Sequence, residues 1–247
     1  STPLYSSAAS DVYKRQYQYC ITDRILVGYR NTLFYVVAGT AISMFLTFLG
    51  AYALSRKGWM GKRLVTLMIM FTMYFSGGII AIYLWVQQLH MIDTVWAILL
   101  PTALSTYNLI VMRTAFANVP ESLIEAARLD GASEFTCLFR IVIPLSQATI
   151  AVVLLFYAVS RWNDWMSATI FLRTADLYPL QIFLREILLT SSADNIISTS
   201  GGSTNTVALA ETIKYATIVI STAPILCIYP FIQRYFVTGV MIGGVKE

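Results

Sequence analysis

The sequence predicts an all-α, polytopic transmembrane helical bundle. Three observations carry this: a scarcity of charge, a set of long charge-free runs, and connections that alternate between basic and charge-poor. The chain is 57% hydrophobic and only 12% charged across 247 residues. Soluble domains carry about 25% charged residues, and 12% cannot cover a water-soluble globule of this length. Lipid is the solvent that such a surface fits.

Five runs lack any Asp, Glu, Lys or Arg: Leu33–Leu54, Leu64–Leu89, Thr94–Met112, Ile141–Ser160 and Tyr215–Gln233, the last with its span beginning near Ile213. A helix needs roughly 20 residues to cross a hydrocarbon core about 30 Å thick. Each run is long enough, and helices are required because backbone groups in lipid find no water. Pro224 and Pro230 predict a kink in the last span.

Arginine and lysine set the orientation. Ser55–Arg63 holds Arg56, Lys57, Lys62 and Arg63, whereas His90–Asp93 holds no Lys or Arg. The next connection carries Arg113, Arg128 and Arg140, the segment 161–212 carries Arg161, Arg173 and Arg185, and the tail carries Arg234 and Lys246. The first, third and C-terminal segments are therefore expected in the cytoplasm and the loop 161–212 outside. Within that loop Leu180, Phe183, Leu184, Ile187 and Leu188 follow a helical apolar period. Pro179 suits the start of such a helix, which is expected to lie on the outer membrane surface. Ser191–Thr206 is rich in Ser, Thr, Asn and Gly and reads as a loop.

The N-terminus conflicts with this parity, because Lys14, Arg15, Arg24 and Arg30 precede the first run. Ser6–Gln16 has no apolar periodicity. Residues 1–16 are expected to be a non-native leader, with native sequence from about Tyr17.

The stretch Glu121–Gln147 is where the chain carries functional information. Ser122 and Glu125 have capping-box spacing. Ala126, Ala127 and Leu129 continue a short helix, Gly131 permits a reversal, and Phe135, Leu138 and Phe139 form a second short apolar face. Pro144 falls in the first turn of the following span. The pattern is a compact helix–turn–helix at the cytoplasmic face, within a segment set at 117–140. Spacing alone leaves open whether it docks on another protein or only connects two spans.

Other polar positions have plain readings beside functional ones. Trp162, Asn163, Asp164 and Trp165 end the fourth run. They read as an interfacial anchor or as groups that hydrogen-bond and stack on a passing sugar. Arg161 and Asp164 have helical pairing distance, as do Glu211 and Lys214. Gly77-Gly78 reads as a helix-packing point within a span. Cys20, Cys137 and Cys227 have no disulfide or metal-ligand spacing, and His90 has no Cys or His near it in sequence. No catalytic set, metal site or phosphate-binding loop is visible; Gly61-Lys62 is followed by Arg63 and lacks the earlier glycine. ATP binding therefore needs another chain.

Glu125-Ala126-Ala127, Gly131, Ile141 and Pro144 match the signature E-A-A-x3-G-x9-I-x-L-P, with Ile143 in place of Leu. By this the chain resembles the permease subunits of binding-protein-dependent ABC importers. Asn31-Thr32, Trp162-Asn163-Asp164-Trp165, Tyr178-Pro179-Leu180-Gln181, Tyr229–Gln233 and the tail Gly239–Lys246 extend the resemblance to the carbohydrate-uptake, MalG- and YtcP-like branch.

The resemblance implies a type I importer fold in which Glu125, Ala126, Ala127, Leu129, Gly131, Ile141 and Pro144 form the ATPase-coupling segment. Trp162, Asn163 and Asp164 would lie on the substrate path. Such permeases usually have six spans, so the first is expected to be missing here, and the chain is expected to assemble poorly until a leading span is restored. The implied partners are a homologous second permease, two cytoplasmic ATP-binding subunits that hold ATP and Mg, an extracytoplasmic solute-binding protein, a sugar and membrane lipid, with no nucleic acid. No cofactor or catalytic residue is expected in this chain. Permeases for peptides, amino acids or phosphonates share the segment. A secondary transporter would place ionisable groups inside its spans, and a membrane enzyme would need catalytic groups.

We predict that, after replacement of the three native cysteines, Cys at position 200 reacts with an impermeant thiol reagent in intact cells. Cys at position 57 should react only after permeabilisation. The reverse labelling pattern inverts the topology.

Overall fold

The computed structural model describes residues 23–56 and 61–187, with isolated helical positions at 189, 215, 219, 222, 223 and 226. Among these residues the regular structure is entirely helical. The expected leader, the loop 191–206, Glu211, Lys214, the prolines of the last run and the C-terminal tail lie outside the described residues.

Helix α1 (Asp23–Ser55) is 33 residues long. It is the one described helix that is by itself long and apolar enough to cross a membrane, over Arg24–Ser55. The next three runs do not form single straight helices, and the run Tyr215–Gln233 lies almost wholly outside the described residues. Leu64–Leu89 becomes α2 (Lys62–Tyr74) and α3 (Gly78–Gln88), bent by 110°. The Gly77-Gly78 pair explains the break: Gly78 has φ +74° and open space around it. Only glycine adopts that backbone readily. The pair therefore ends a helix instead of packing one helix on another.

Thr94–Met112 becomes α4 (Val95–Leu99) and α5 (Thr106–Ala117). Pro101, which cannot donate a backbone hydrogen bond, lies between them. Ser105 restarts the helix by accepting from the Asn108 amide at 3.4 Å. Beyond α6 (Glu121–Leu129) and α7 (Glu134–Cys137), a π-helical turn (Leu138–Val142) leads into α8 (Ile143–Leu145) and α9 (Gln147–Trp162). The chain bends by 89° between 145 and 147. Counting each bent pair as one span gives up to three spans among the described residues.

The chain divides into two compact units, residues 35–161 with 230–247 and residues 1–34 with 162–229. The core of the first is built from Met44, Ala51 and Leu54 of α1, Leu109, Met112 and Phe116 of α5, Ile124 of α6, Cys137, Leu138 and Val142, and Val153 and Tyr157 of α9. Its buried polar groups are largely satisfied. The Thr47 and Tyr157 hydroxyls bond at 2.8 Å, and the Ser105 amide donates to Tyr157 at 3.1 Å.

Arg161, 6% exposed, holds the break after α4. It donates to the carbonyls of Ile98 at 2.7 Å, Leu99 at 3.1 Å and Thr102 at 3.0 Å. Gly39 makes room for it, since a Cβ there would stand 3.0 Å from Arg161 Nε. Arg161 thus supplies donors to carbonyls that no helix continues to satisfy.

In the second unit, the start of α1 grips a helix over 180–187. Asn31 Nδ2 donates to the carbonyls of Asp176 at 2.6 Å and Tyr178 at 3.1 Å, and the Leu180 amide donates to Thr32 Oγ1 at 2.8 Å. Gly28 allows the approach: a Cβ would meet Phe183 at 2.9 Å and the Leu180 backbone at 3.1 Å. Leu180, Phe183 and Leu184 are buried. Of the apolar face read from the sequence, these three residues pack on protein, Ile187 is half-buried, and Leu188 lies outside the described residues.

We predict that Arg161→Met destabilises the folded chain by about 3 kcal/mol or more, because several buried carbonyls lose a charged donor. Thermal unfolding in detergent measures this. An unchanged melting temperature would show that the clamp is dispensable.

Candidate functional site: an exposed helical hairpin on a fixed base

Helix α6 begins after Pro120, which stands at its N-cap without a side-chain cap. The capping box read at Ser122 and Glu125 is therefore not formed, because Ser122 already lies inside the first turn. The C-terminus follows the expectation for Gly131, whose φ is +84°. The Gly131 amide donates to the Arg128 carbonyl at 3.0 Å and the Ala132 amide to the Ala127 carbonyl at 2.9 Å. These two bonds define a Schellman motif, in which a left-handed residue closes the last turn. Ser133 then caps α7, accepting from the Thr136 amide at 3.3 Å.

The hairpin has a fixed side and a free side. Ile124, 1% exposed, enters the core, and Ala127 packs half-buried against it. Glu125, Ala126 and Leu129 are exposed, Leu129 by 89%. Phe135 and Phe139 are also exposed. The two alanines thus do different work. Ala126 leaves the outer surface low, while Ala127 lets α6 sit close on its own bundle. Ile141 is half-buried in the π turn and Pro144 is exposed in α8. Both shape the base of α9 and neither belongs to the free side of α6.

One carboxylate ties the hairpin down. Glu134 Oε1 accepts from Arg128 Nη2 at 2.7 Å and Nε at 2.8 Å, which joins the two helices across Gly131. Glu134 Oε2 accepts from the Tyr52 hydroxyl at 2.6 Å, which joins them to the end of α1. The Glu134 charge raises the Arg128 pKa above its ordinary value. The Arg56 guanidinium stands 5.1 Å over the Tyr52 ring and donates to the Phe116 carbonyl at 2.7 Å. Arg113 Nε donates to the Leu54 carbonyl at 3.2 Å. Basic residues from the first and third connections therefore meet at one end of this unit. Tyr52, Arg56 and Glu134 were not among the sequence candidates. Tyr52 and Glu134 lie 82 positions apart, and no spacing rule links them.

The other candidates lie in the second unit. Trp162 is 6% exposed, with its ring 6.4 Å from that of Tyr29 and its Nε1 buried without a hydrogen-bond partner. It packs inside protein, so it is not an anchor at a lipid interface. Asn163 is exposed in a turn. Asp164 Oδ1 accepts from the Ser167 amide at 3.1 Å, just ahead of α10 (Met166–Phe171). The Arg185 guanidinium covers the Trp165 ring at 3.6 Å from its centroid. No group of three or more His, Cys, Asp or Glu able to hold a metal occurs among the described residues.

Comparison with known proteins identifies the family. Residues 44–242 match the family model of the binding-protein-dependent transport system inner membrane component. The chain belongs to this family of inner-membrane permeases. The permease is 42% identical over 225 residues to the polygalacturonan/rhamnogalacturonan transport system permease protein YtcP of Bacillus subtilis, covering 91% of this chain and 78% of that one. It is 40% identical to protein LplC of the same organism, over 96% of this chain and 78% of LplC. It also superimposes on a chain from the crystal structure of a bacterial ABC transporter involved in the import of the acidic polysaccharide alginate. There the TM-score is 0.80 at 33% identity, over 90% of this chain and 79% of that one. The permease is therefore a membrane transport component, and its relatives are permeases, not enzymes.

Proposed function

We propose that this permease forms half of the translocation path of an importer for oligosaccharides, and that its hairpin 121–137 couples the path to a cytoplasmic ATPase. The cargo assignment is supported by relatives whose names specify polygalacturonan, rhamnogalacturonan and arabinooligosaccharide transport, and by the alginate importer. The proposed assembly pairs the chain with a second, homologous permease, two ATP-binding subunits and a solute-binding protein. ATP and Mg belong to the ATPase subunits. No bond is made or broken in this chain; transport is alternating access between two arrangements of the bundle.

The observation that carries the coupling role is the division of the hairpin. Glu125, Ala126 and Leu129 face outward, while Ile124 and Glu134 hold the same element to α1 and the core. A force on the free side then reaches α1 through Glu134–Tyr52 and α9 through the chain itself. Trp162, Asn163 and Asp164 are proposed to border the sugar path, with the unpartnered Trp162 Nε1 as the strongest support.

We predict that Gly131→Val abolishes uptake while leaving membrane insertion intact. At φ +84° a β-branched residue is strained by about 1–3 kcal/mol, although no atom lies in its way. Gly131→Asn should retain most uptake, because asparagine tolerates this backbone. Co-purification of the ATPase and uptake into vesicles measure both variants. Full association and uptake in Gly131→Val would reduce the hairpin to a connector.

A second prediction concerns the tie to α1. Tyr52→Phe should lower sugar transported per ATP hydrolysed by about fivefold or more. An unchanged ratio would remove Glu134–Tyr52 from the coupling route.

A further inference from the structure

Helices α2 and α5 enclose an open cavity of about 490 Å³ that the transport reading does not use. Lys62, Arg63 and Arg113 line it together with Thr66, Leu67 and Met70. The order along α2 sorts these groups by polarity. Lys62 and Arg63 open the helix, Thr66 and Leu67 follow one turn later, and Met70 another turn on, on the same side. The cavity is thus basic at one end and apolar along its length. None of its described lining residues is a carboxylate.

Two of the cations are placed by backbone carbonyls. Lys62 Nζ donates to the carbonyls at the end of α1, Ser55 at 3.2 Å and Arg56 at 3.0 Å. Arg113 uses Nε on the Leu54 carbonyl at 3.2 Å, and that bond leaves its two Nη groups for another acceptor. Arg63 is exposed and makes no ion pair with a described carboxylate. Alongside, α2 buries none of its own residues, and Leu64, Leu67, Met68 and Met70 are exposed. A ligand that matches the whole cavity needs an anionic head of phosphate type and an apolar tail. Guanidinium groups are suited to the first, and the wall beyond Thr66 to the second.

We propose that this cavity binds an anionic phospholipid. Its phosphate is held by Arg63 and Arg113, and its acyl chains run along Leu67 and Met70. The apolar wall argues against a free phosphate as the occupant. The cavity lies where α1 ends, on the side of the unit that carries the coupling hairpin, so the lipid comes from the cytoplasmic leaflet. Basic pockets between membrane helices on that side hold lipid head groups by the same physics. Leaflet assignment rests on the coupling reading; the binding chemistry does not.

The test uses the importer complex, delipidated in neutral detergent and titrated with phosphatidylglycerol or phosphatidylcholine. Native mass spectrometry reads occupancy and thermal unfolding reads stabilisation. Phosphatidylglycerol should bind about tenfold or more tightly than phosphatidylcholine, and Arg63→Gln should weaken it about fivefold. Leu67→Asp should weaken it as well, with the basic residues intact. Glycerol phosphate and inorganic phosphate should not compete. Equal binding of the two lipids, or undiminished phosphatidylglycerol preference in Arg63→Gln, overturns the proposal. Competition by glycerol phosphate at matched concentration also overturns it and assigns a soluble anion. Release of the ATPase by Arg63→Gln with lipid binding unchanged gives the cavity to a partner protein and overturns it too. Gly131→Val leaves this binding unaffected, so failure of the coupling reading and failure of the lipid site are told apart.

Discussion

A helix that stops away from water leaves carbonyls that nothing nearby satisfies. In this permease the constraint falls hardest between α4 and α5, where Pro101 interrupts an apolar run. Arg161 answers it with a single guanidinium spread over three carbonyls. Five donors in a fixed plane allow one side chain to do this, and a lysine could not reproduce the geometry. The cost is a buried cation, and Gly39 provides the room. Because Arg161 belongs to α9, the same contacts hold α9 against the broken segment. The core of Leu109, Met112, Val153 and Tyr157 then packs on elements already in place.

The same division between fixed and free recurs at the hairpin. Three residues in a row, Ile124, Glu125 and Ala126, face the core, the surroundings and the surroundings again. The hairpin is short, so it has little packing of its own, and its orientation depends on a few strong contacts. Glu134 is chief among them because it receives donors from both sides. Its two oxygens are divided between Arg128 within the hairpin and Tyr52 outside it. That arrangement links the hairpin to α1 beside the apolar contacts of Ile124 and Cys137.

Composition and charge made the membrane class legible, and the EAA residues made the family legible, because both are local statistics. Gly131 was readable for a physical reason: its place after an apolar turn demanded a left-handed residue. The helix breaks were harder. Gly77-Gly78 in an apolar run is compatible with close packing or with a break, and only the φ of Gly78 decides. Ser122 misled because capping boxes are defined relative to a helix start, and Pro120 moved that start. Asn31-Thr32 and Tyr178-Pro179-Leu180 stand in the sequence as separate family-like pieces. Their hydrogen bonds to each other span more than a hundred residues, and single-chain periodicity carries no such information. Arg161 has helical spacing to Asp164, yet the carbonyls of Ile98, Leu99 and Thr102 that it bonds are indicated by no side-chain rule.

The π-helical turn at Leu138–Val142 sets a phase. A turn of this kind takes up an extra residue relative to an α turn, so everything before it is rotated by about a hundred degrees against everything after it. Here it separates the hairpin from α9, with Leu138 and Val142 buried on either side of Phe139 and Arg140. The surface that α6 offers is therefore indexed to α9 by residue count as well as by side-chain chemistry. Loss of a single residue from this turn would leave the composition, the hydropathy and the EAA residues intact, yet aim the hairpin in a different direction.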